Sequence, residues 1–367
     1  MIVLVVLALL AWIYLAVAHG RFWQAGPVLA KAVPSSLPDV AIVVPARDEA
    51  EGIAASIGSL LAQDYAGRFR VVLVDDNSTD DTAAIALAMP GAERLTVISG
   101  SARPRGWAGK LWAVHQGVSS SDEELVLLTD ADIVHDPAHL SSLVAHLQVS
   151  GVDMASEMVA LRCESLAERA LIPAFVYFFG LLYPFAWVND GLNATAAAAG
   201  GTVLIRRAAL QRIGGVVSIS GALIDDVALA QKVKRGGRIW LGHSALARSV
   251  RRYPGPADVW RMIARSAYVQ LKLSPWLLVG STLGLAWLFL LPPVAALSGS
   301  WIGAATWVLM AATFSPTLRR FGLSVLWAPL LPLIAVFYMA ATLGSAFDHH
   351  RGRGVVWKNR AYTETSA

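Results

Sequence analysis

The feature that most constrains this chain is an apolar amino-terminal segment with no charged side chain over residues 1–18. A helix of roughly 20 apolar residues spans the hydrocarbon core of a bilayer, so the segment predicts a membrane anchor over residues 1–20. Its last three residues also resemble the small-residue cleavage site of a signal peptide. No Lys or Arg precedes the segment, whereas Arg21 and Lys31 follow it. This charge bias favours an anchor whose carboxyl-terminal end faces the cytoplasm.

A second apolar zone occupies residues 275–347. Hydrophobic residues make up 56% of the 367 residues and charged residues only 15%, which is more apolar than a typical soluble protein. Three crossings would place the basic tail, residues 348–367, outside the cell. Two crossings with a re-entrant or interfacial segment would keep that tail in the cytoplasm, as the positive-inside rule favours. The sequence leaves both arrangements open for the candidate spans 275–297, 301–317 and 323–347.

Residues 38–253 are predicted to form a water-soluble cytoplasmic domain, followed by an interfacial helix over residues 254–274. Short Val-, Leu- and Ile-rich runs alternate there with helical patterns, which predicts an α/β domain with a mostly parallel sheet. No GxGxxG follows a predicted strand, so a nicotinamide or flavin cofactor is not expected. The predicted strands cover residues 40–44, 71–74 and 125–129.

The charge distribution argues against a nucleic-acid partner, and the cysteine content excludes two kinds of cysteine-rich site. The net charge of +4 comes from Lys and Arg residues that are scattered and become denser near the apolar segments. This distribution favours a membrane surface over nucleic acid as the partner. The single cysteine, Cys163, excludes an intramolecular disulfide framework and a cysteine-rich zinc site.

Acidic residues follow the predicted strands, at the edge of a parallel sheet where ligands bind. Asp75 and Asp76 follow the second strand, and Asp130 and Asp132 follow the third. Carboxylates one residue apart can converge on a hard cation, which usually binds through one or two carboxylates together with substrate phosphates. Helix capping is the alternative explanation for such acidic residues. A third acidic pair, at positions 225 and 226, has Ile and Leu neighbours, and unpaired carboxylates beside a core are costly.

The same motifs, in this order, resemble the family-2 inverting glycosyltransferases with the GT-A fold, and more closely the hopene-associated branch of that family. The resemblance extends over nearly the whole chain, including the terminal apolar segments. It rests on Pro45-Ala46-Arg47-Asp48-Glu49, Val74-Asp75-Asp76-Asn77-Ser78-Thr79-Asp80, Gly106-Trp107-Ala108-Gly109-Lys110-Leu111-Trp112, Asp130-Ala131-Asp132, Pro184-Phe185-Ala186-Trp187, Ile224-Asp225-Asp226 and Gly236-Gly237-Arg238-Ile239-Trp240.

The resemblance implies a role for each matching residue. Asp226 corresponds to the catalytic base, and Asp130 and Asp132 to the ligands of Mg²⁺ or Mn²⁺. Asp225 replaces a more usual Glu and is predicted to contribute to the acceptor site or to cap the helix that follows. Arg265 is all that remains of the Gln-x-x-Arg-Trp motif found in processive relatives, which argues against a polysaccharide synthase. The implied donor-binding residues are Pro45, Ala46, Arg47, Glu49, Asp75, Asp76, Lys110, Asp130, Gly200 and Gly201.

The expected activity is transfer of a sugar from a nucleotide-sugar, most simply a UDP-sugar, to a lipid-type acceptor such as a hopanoid, sphingolipid or polyprenol. The protein would be integral to a bacterial-type inner membrane, with its catalytic domain in the cytoplasm. Two alternatives remain at this point: a nucleotidyltransferase that uses the same carboxylates, and a non-catalytic transport or assembly protein.

Overall fold

The computed structural model describes residues 1–24 and 26–352, together with the backbone of 356–357 and 360–361. Most of the predicted basic tail, residues 348–367, therefore lies outside the described residues. The chain divides into two compact units, each built from several segments. The first contains Met1–Gly26, Cys163–Trp187 and Arg252–Val355, and the second contains Pro27–Arg162 and Val188–Arg251 with the carboxyl-terminal residues.

The second unit is built on an eight-stranded mixed sheet with the order β3-β2-β1-β4-β7-β6-β8-β5. The pairs β1–β2, β2–β3, β1–β4 and β6–β8 are parallel, and β4–β7, β6–β7 and β5–β8 are antiparallel. The predicted α/β class with a mostly parallel sheet is confirmed. The strands are β1 Val40–Ala46, β2 Phe69–Asp75, β3 Leu95–Ser99, β4 Leu125–Thr129, β5 Ile133–His135, β6 Met154–Ala160, β7 Thr202–Arg206 and β8 Ile239–Ser249.

The three predicted strands correspond to β1, β2 and β4, and they form the buried centre of this sheet. All seven residues of β1 are buried, because helices cover both faces of a sheet of this kind. One helix packs closely against β1 at Gly117, where an added Cβ would lie 2.5 Å from Val43 Cγ1. The helices of this unit are Ala50–Leu61, Thr82–Leu87, Gly109–Ser119, His139–Ser150, Arg207–Arg212 and Asp225–Lys234.

The direction of β7 decides which residues reach the functional edge of the sheet. The parallel strands β1, β2 and β4 all end at this edge. Because β7 runs antiparallel to β4 and pairs Thr202 with Thr129, its amino-terminal end lies there too. Gly200 and Gly201, which immediately precede β7, are thereby placed beside Asp130 at the end of β4.

The first unit is helical. Two of its helical segments, Pro275–Leu297 and Val325–His350, are long and apolar enough to cross a membrane. The amino-terminal helix Ile2–Val17 has 16 residues and is shorter than the roughly 20 needed to span a bilayer. Its Trp12 is buried and donates a hydrogen bond to the Leu288 carbonyl at 2.8 Å. The other helices are Leu166–Leu182, Pro256–Ala264, Ala267–Gln270 and Trp301–Arg320, and a short helix, Phe185–Asn189, continues from this unit into the second.

Candidate active site

A cleft in the second unit lies at the edge of the sheet where β1 and β4 end and β7 begins. The space within it, including the part that is open to solvent, is about 480 Å³. Its lining combines apolar side chains with one lysine and three carboxylates, the arrangement expected of a small-molecule site. The predicted site residues that line it are Pro45, Lys110, Asp130, Gly200, Asp225 and Asp226.

Lys110 holds two of these carboxylates together. It lies in the first turn of the helix Gly109–Ser119, and its Nζ is 2.9 Å from Asp130 Oδ1 and 3.1 Å from Asp225 Oδ2. Burial alone would lower the pKa of Lys110, but the carboxylates of Asp130, Asp225 and Asp226 raise it well above its ordinary value. Lys110 is therefore a fixed positive charge between two acidic segments that are distant in sequence.

Asp226 is the carboxylate with the most altered acidity. Burial and the neighbouring Asp225 raise its pKa to about 7, against the lowering effect of Lys110. An added Cβ on Gly200 would lie 3.3 Å from Asp226 Oδ2, so a side chain at this position would crowd the Asp226 carboxylate. A carboxylate with a pKa near neutrality can accept a proton at physiological pH.

Asp225 does not cap the helix that follows, contrary to that part of its predicted role. The helix begins at Asp225 itself, its N-cap is Ile224, and no side-chain hydrogen bond caps it. The carboxylate of Asp225 is instead paired with Lys110 across the cleft. Its negative charge still lies in the first turn, where the helix dipole favours it.

Asp132 forms contacts that the sequence did not indicate. Its Oδ2 accepts hydrogen bonds from Arg251 Nε at 3.0 Å and from Ser249 Oγ at 2.9 Å. Arg251 also donates from Nη2 to Glu49 Oε1 at 3.1 Å. Arg251 thus connects a predicted metal ligand with a predicted donor-binding residue. The arginine pair Arg251-Arg252, which begins two residues after the end of β8, is a signal in the sequence that could have suggested this role.

The remaining predicted donor-binding residues lie at the ends of β1 and β2. The Arg47 guanidinium donates to the backbone carbonyl of Asp76, and its Nη1 lies 3.7 Å from Asp76 Oδ2. Asp76 is fully buried. Asp75 Oδ1 accepts hydrogen bonds from the backbone N–H and the hydroxyl of Ser78. With Ala46 at the end of β1, these residues form a rigid, hydrogen-bonded corner of the sheet edge.

The carboxylates at this edge are side chains of the kind that binds a divalent cation. Burial raises the pKa of Asp130, and Asp132 and Asp225 raise it further, although Lys110 lowers it. The edge therefore carries more negative charge than its lysine neutralises. Within the part of the chain that the structure describes, no group of three or more acidic, His or Cys side chains forms a complete metal site. Asp130 and Asp132 instead suit a cation that takes one or two protein carboxylates and completes its shell with phosphate oxygens and water.

Arg265, the remaining predicted site residue, belongs to the first unit. It follows the helix Pro256–Ala264 as its C-cap residue. Its assignment to the acceptor site stays a prediction.

Comparison with known proteins identifies the class of this domain. Residues 41–214 match the family described as "Glycosyl transferase family 2". The chain therefore contains a family 2 glycosyltransferase domain, as the sequence motifs predicted. The match includes the ends of β1, β2 and β4 but stops before Asp225 and Asp226, so the role of that acidic pair does not follow from it.

Individual relatives agree with this class over part of the chain. An uncharacterized glycosyltransferase of Mycobacterium bovis is 38% identical over 115 residues, which are 31% of this chain and 46% of that protein. The beta-monoglucosyldiacylglycerol synthase of a Nostoc species is 35% identical over 104 residues, 28% of this chain and 22% of the synthase. The chain thus aligns with less than half the length of each of these relatives.

A solved structure supports the fold over a larger part of the chain. The mannosyltransferase PcManGT from Pyrobaculum calidifontis, in complex with GDP-Man and Mn²⁺, superimposes with a TM-score of 0.60 at 19% identity. The superposition covers 94% of this chain and 99% of that one. The chain therefore has the GT-A-like fold that the sequence predicted.

The raised pKa of Asp226 predicts a pH-dependent effect on stability. A carboxyl group whose pKa is raised by folding stabilises the folded state fully only below its unfolded pKa of about 3.9, and this contribution is lost as the pH rises. The loss is complete above the folded pKa of about 7. Asp226→Asn removes the penalty, so it should raise the unfolding temperature at pH 8 much more than at pH 4. Asp81→Asn, at an exposed position, is the control, and equal shifts for Asp226→Asn at both pH values would contradict the raised pKa.

Proposed function

We propose that this protein is a membrane-bound inverting glycosyltransferase that transfers a sugar from a nucleotide-sugar, a UDP-sugar in the simplest case, to a hydroxyl group of a lipid-type acceptor. The observation that carries the proposal is Asp226, a carboxylate with a pKa of about 7 in the cleft of a family 2 domain. It stands beside the Lys110–Asp130 pair, at the edge of the sheet where ligands bind in this class of fold.

The reaction that fits this arrangement is direct displacement at the anomeric carbon. Asp226 accepts the proton of the acceptor hydroxyl as its oxygen attacks, and the nucleoside diphosphate leaves from the opposite face, which inverts the configuration. General-base assistance of this kind contributes about 10²- to 10⁴-fold in rate. No covalent intermediate is required, and no nucleophilic residue is proposed.

The donor would be held by residues on both sides of the cleft. Pro45, Ala46, Arg47 and Glu49 would contact the base and ribose, with Asp75 or Asp76 as the hydrogen-bond partner of a uracil. Gly200 and Gly201 would let the backbone approach the sugar. Gly200 lies beside Asp226 in the cleft, whereas an added Cβ on Gly201 would meet Val159 on β6 at 3.0 Å. Lys110 would interact with the diphosphate, since its ammonium group is fixed at the cleft by Asp130 and Asp225.

A divalent cation, Mg²⁺ or Mn²⁺, would be held by Asp130 and Asp132. When bound, it would neutralise the negative charge that develops on the leaving diphosphate. Asp132 is shared with Arg251, so this arginine and a cation compete for the same carboxylate.

A lipid acceptor and a membrane location are supported by three observations. The first unit contains two helical segments that could span a bilayer. The side chain of Trp276, near the start of one of them, is 84% exposed, as expected of an interfacial aromatic residue. The name of the Nostoc relative describes a synthase of a glycosylated diacylglycerol. On this proposal Asp225 contributes to the acceptor site, and the soluble domain faces the cytoplasm, where nucleotide-sugars are made. The alternatives of a nucleotidyltransferase and a transport protein have no comparable support.

The proposed base gives the first test of this function. Purified protein is incubated with lipid extract and a panel of labelled nucleotide-sugars, and labelled lipid is measured. Asp226→Asn should lower kcat by about 10²- to 10⁴-fold with nucleotide binding nearly unchanged. Asp225→Asn is the matched variant, and we expect a smaller loss because that carboxylate pairs with Lys110. Normal turnover by Asp226→Asn, or an effect confined to donor binding, would refute the base; no transfer from any donor would refute the function.

The competition between Arg251 and a cation gives a second prediction. Mn²⁺ binding, measured by electron paramagnetic resonance without donor, should weaken in Asp132→Asn and tighten in Arg251→Met, because the latter releases Asp132. Turnover should be lost in EDTA and restored by Mg²⁺ or Mn²⁺. Full activity in excess EDTA would exclude the metal role, and unchanged Mn²⁺ affinity in both variants would exclude Asp132 as a ligand.

The membrane orientation is tested by cysteine accessibility. In a Cys163→Ala background, Leu192→Cys and Val149→Cys introduce thiols at positions that are 99% and 91% exposed. An impermeant maleimide should label both sites only after the cells are opened, because the second unit is proposed to be cytoplasmic. Labelling of these thiols in intact cells would reverse the orientation.

A further inference from the structure

A chain of buried polar side chains crosses the core of the second unit and ends at the cleft. Glu157 on β6 contacts His139 with 2.6 Å between Oε2 and Nε2, and His139 contacts His135 with 3.0 Å between their Nδ1 atoms. His135 Nε2 lies 3.1 Å from the Thr129 hydroxyl, which donates to the Gly201 carbonyl at 2.9 Å. The four side chains are between 0% and 4% exposed. Buried polar groups are costly unless they are hydrogen-bonded, so this chain calls for a reason.

The end of the chain at Gly201 fixes the direction of the bonds. In its 2.9 Å contact with Gly201 the Thr129 hydroxyl is the donor, because a carbonyl oxygen only accepts, and a hydroxyl has a single proton to donate. The Thr129 oxygen therefore accepts from His135, which must carry its proton on Nε2. Burial lowers the pKa of His135 well below its ordinary value, so His135 is neutral and its Nδ1 is unprotonated. That atom then accepts from Nδ1 of His139.

The other end of the chain has one remaining choice, and it does not alter the direction. Either Glu157 is a carboxylic acid that donates to His139 Nε2, or His139 is an imidazolium that donates to a Glu157 carboxylate. In both cases Nδ1 of His139 carries a proton and donates to His135. Every bond from Glu157 to Gly201 therefore points the same way, and such aligned hydrogen bonds polarise and strengthen one another.

The Gly201 carbonyl, at the end of this chain, lies in the backbone segment that approaches Asp226, the proposed base. The Gly201 carbonyl also accepts from the backbone N–H of Asp130, at 3.4 Å. The neighbouring Gly200 faces Asp226, and its backbone N–H donates a hydrogen bond to the Asp226 carboxylate. Residues 194–199, just before these glycines, have no regular secondary structure although 196–199 are buried. Backbone of this kind has to be held by side chains.

We propose that Glu157, His139, His135 and Thr129 are positioning residues that hold the Gly200–Gly201 backbone against Asp130 and Asp226. They contact neither donor nor acceptor and act through the orientation of one carbonyl group. The proposal rests on the proposed function for its kinetic consequence, but the hydrogen-bond chain itself does not. It gives a role in the active site to His135, His139 and Glu157, which do not line the cleft.

The sheet provides a matched control for this proposal. Thr202 on β7 is the cross-strand partner of Thr129, and it is equally buried, at 0% against 2% exposed. Its hydroxyl has no hydrogen-bond partner among the described residues. Thr129→Val and Thr202→Val therefore remove the same hydroxyl group from neighbouring buried sites, and only the first removes a member of the chain.

The kinetic experiment compares these two variants with Thr129→Ser, which keeps the hydroxyl. Thr129→Val should lower kcat about tenfold, the value of one hydrogen bond, with little change in donor KM. Thr202→Val and Thr129→Ser should stay close to the unaltered protein. A purely structural role would lower thermal stability and leave kcat unchanged in the folded fraction. Unchanged kcat in Thr129→Val, or an equal loss in Thr202→Val, would overturn the proposal.

Two measurements without substrate separate this proposal from the proposed function. Hydrogen exchange of peptides containing Asp130 and Gly200 should become about tenfold faster in Thr129→Val, and not in Thr202→Val. Nitrogen-15 NMR of labelled histidines, with His135→Gln for assignment, should show His135 protonated on Nε2 alone. These results in a protein that transfers no sugar would refute the function and leave the positioning chain intact. Protonation of His135 on Nδ1, or unchanged exchange in Thr129→Val, would refute the chain even in an active enzyme.

Discussion

The cleft contains more carboxylates than basic side chains, and the ammonium group of Lys110 holds two of these carboxylates close together. Asp130 and Asp225 come from segments of the chain that are distant in sequence, and both lie about 3 Å from the same ammonium group of Lys110. Without Lys110, several partly buried carboxylates would repel one another at the edge of the sheet, which is a costly arrangement. With it, Asp226 remains the carboxylate that has no full ionic partner, and its pKa is the one that reaches about 7. On the proposed function, the charge balance of the cleft thus separates a binding role from a base role among similar side chains.

The backbone around this charge cluster is as important as the charges. The antiparallel direction of β7 brings two glycines to an edge that otherwise consists of strand carboxyl ends. Gly200 permits an approach of backbone to Asp226 that a side chain would obstruct. The irregular segment before it is held by buried hydrogen bonds, including those between Ser156 and the backbone of Ala199. A contact this close needs a rigid support, which β7 of the sheet provides directly after the two glycines.

The family 2 domain and the proposed chemistry do not coincide along the chain. Residues 41–214 carry the strand ends that would bind a nucleotide-sugar. The proposed base follows that region, and the apolar helices lie in the other unit. Donor binding is therefore the part of the proposal that the family match over residues 41–214 supports most directly. The acceptor depends on segments for which the relatives offer less guidance, and the lipid assay addresses that part directly.

The sequence alone determined the class of fold and the charged residues that line the cleft, because those signals are local. A run such as Val40–Val44 predicts a buried strand from its own composition, and acidic residues that follow parallel strands must meet at one edge. What only the tertiary structure decided is which charges meet. Arg251 reaches Asp132 across 119 residues, and the pairing of Asp225 with Lys110 replaces the helix cap that a local interpretation favoured. These contacts follow from strand order and direction, which bring together residues that are far apart in the sequence.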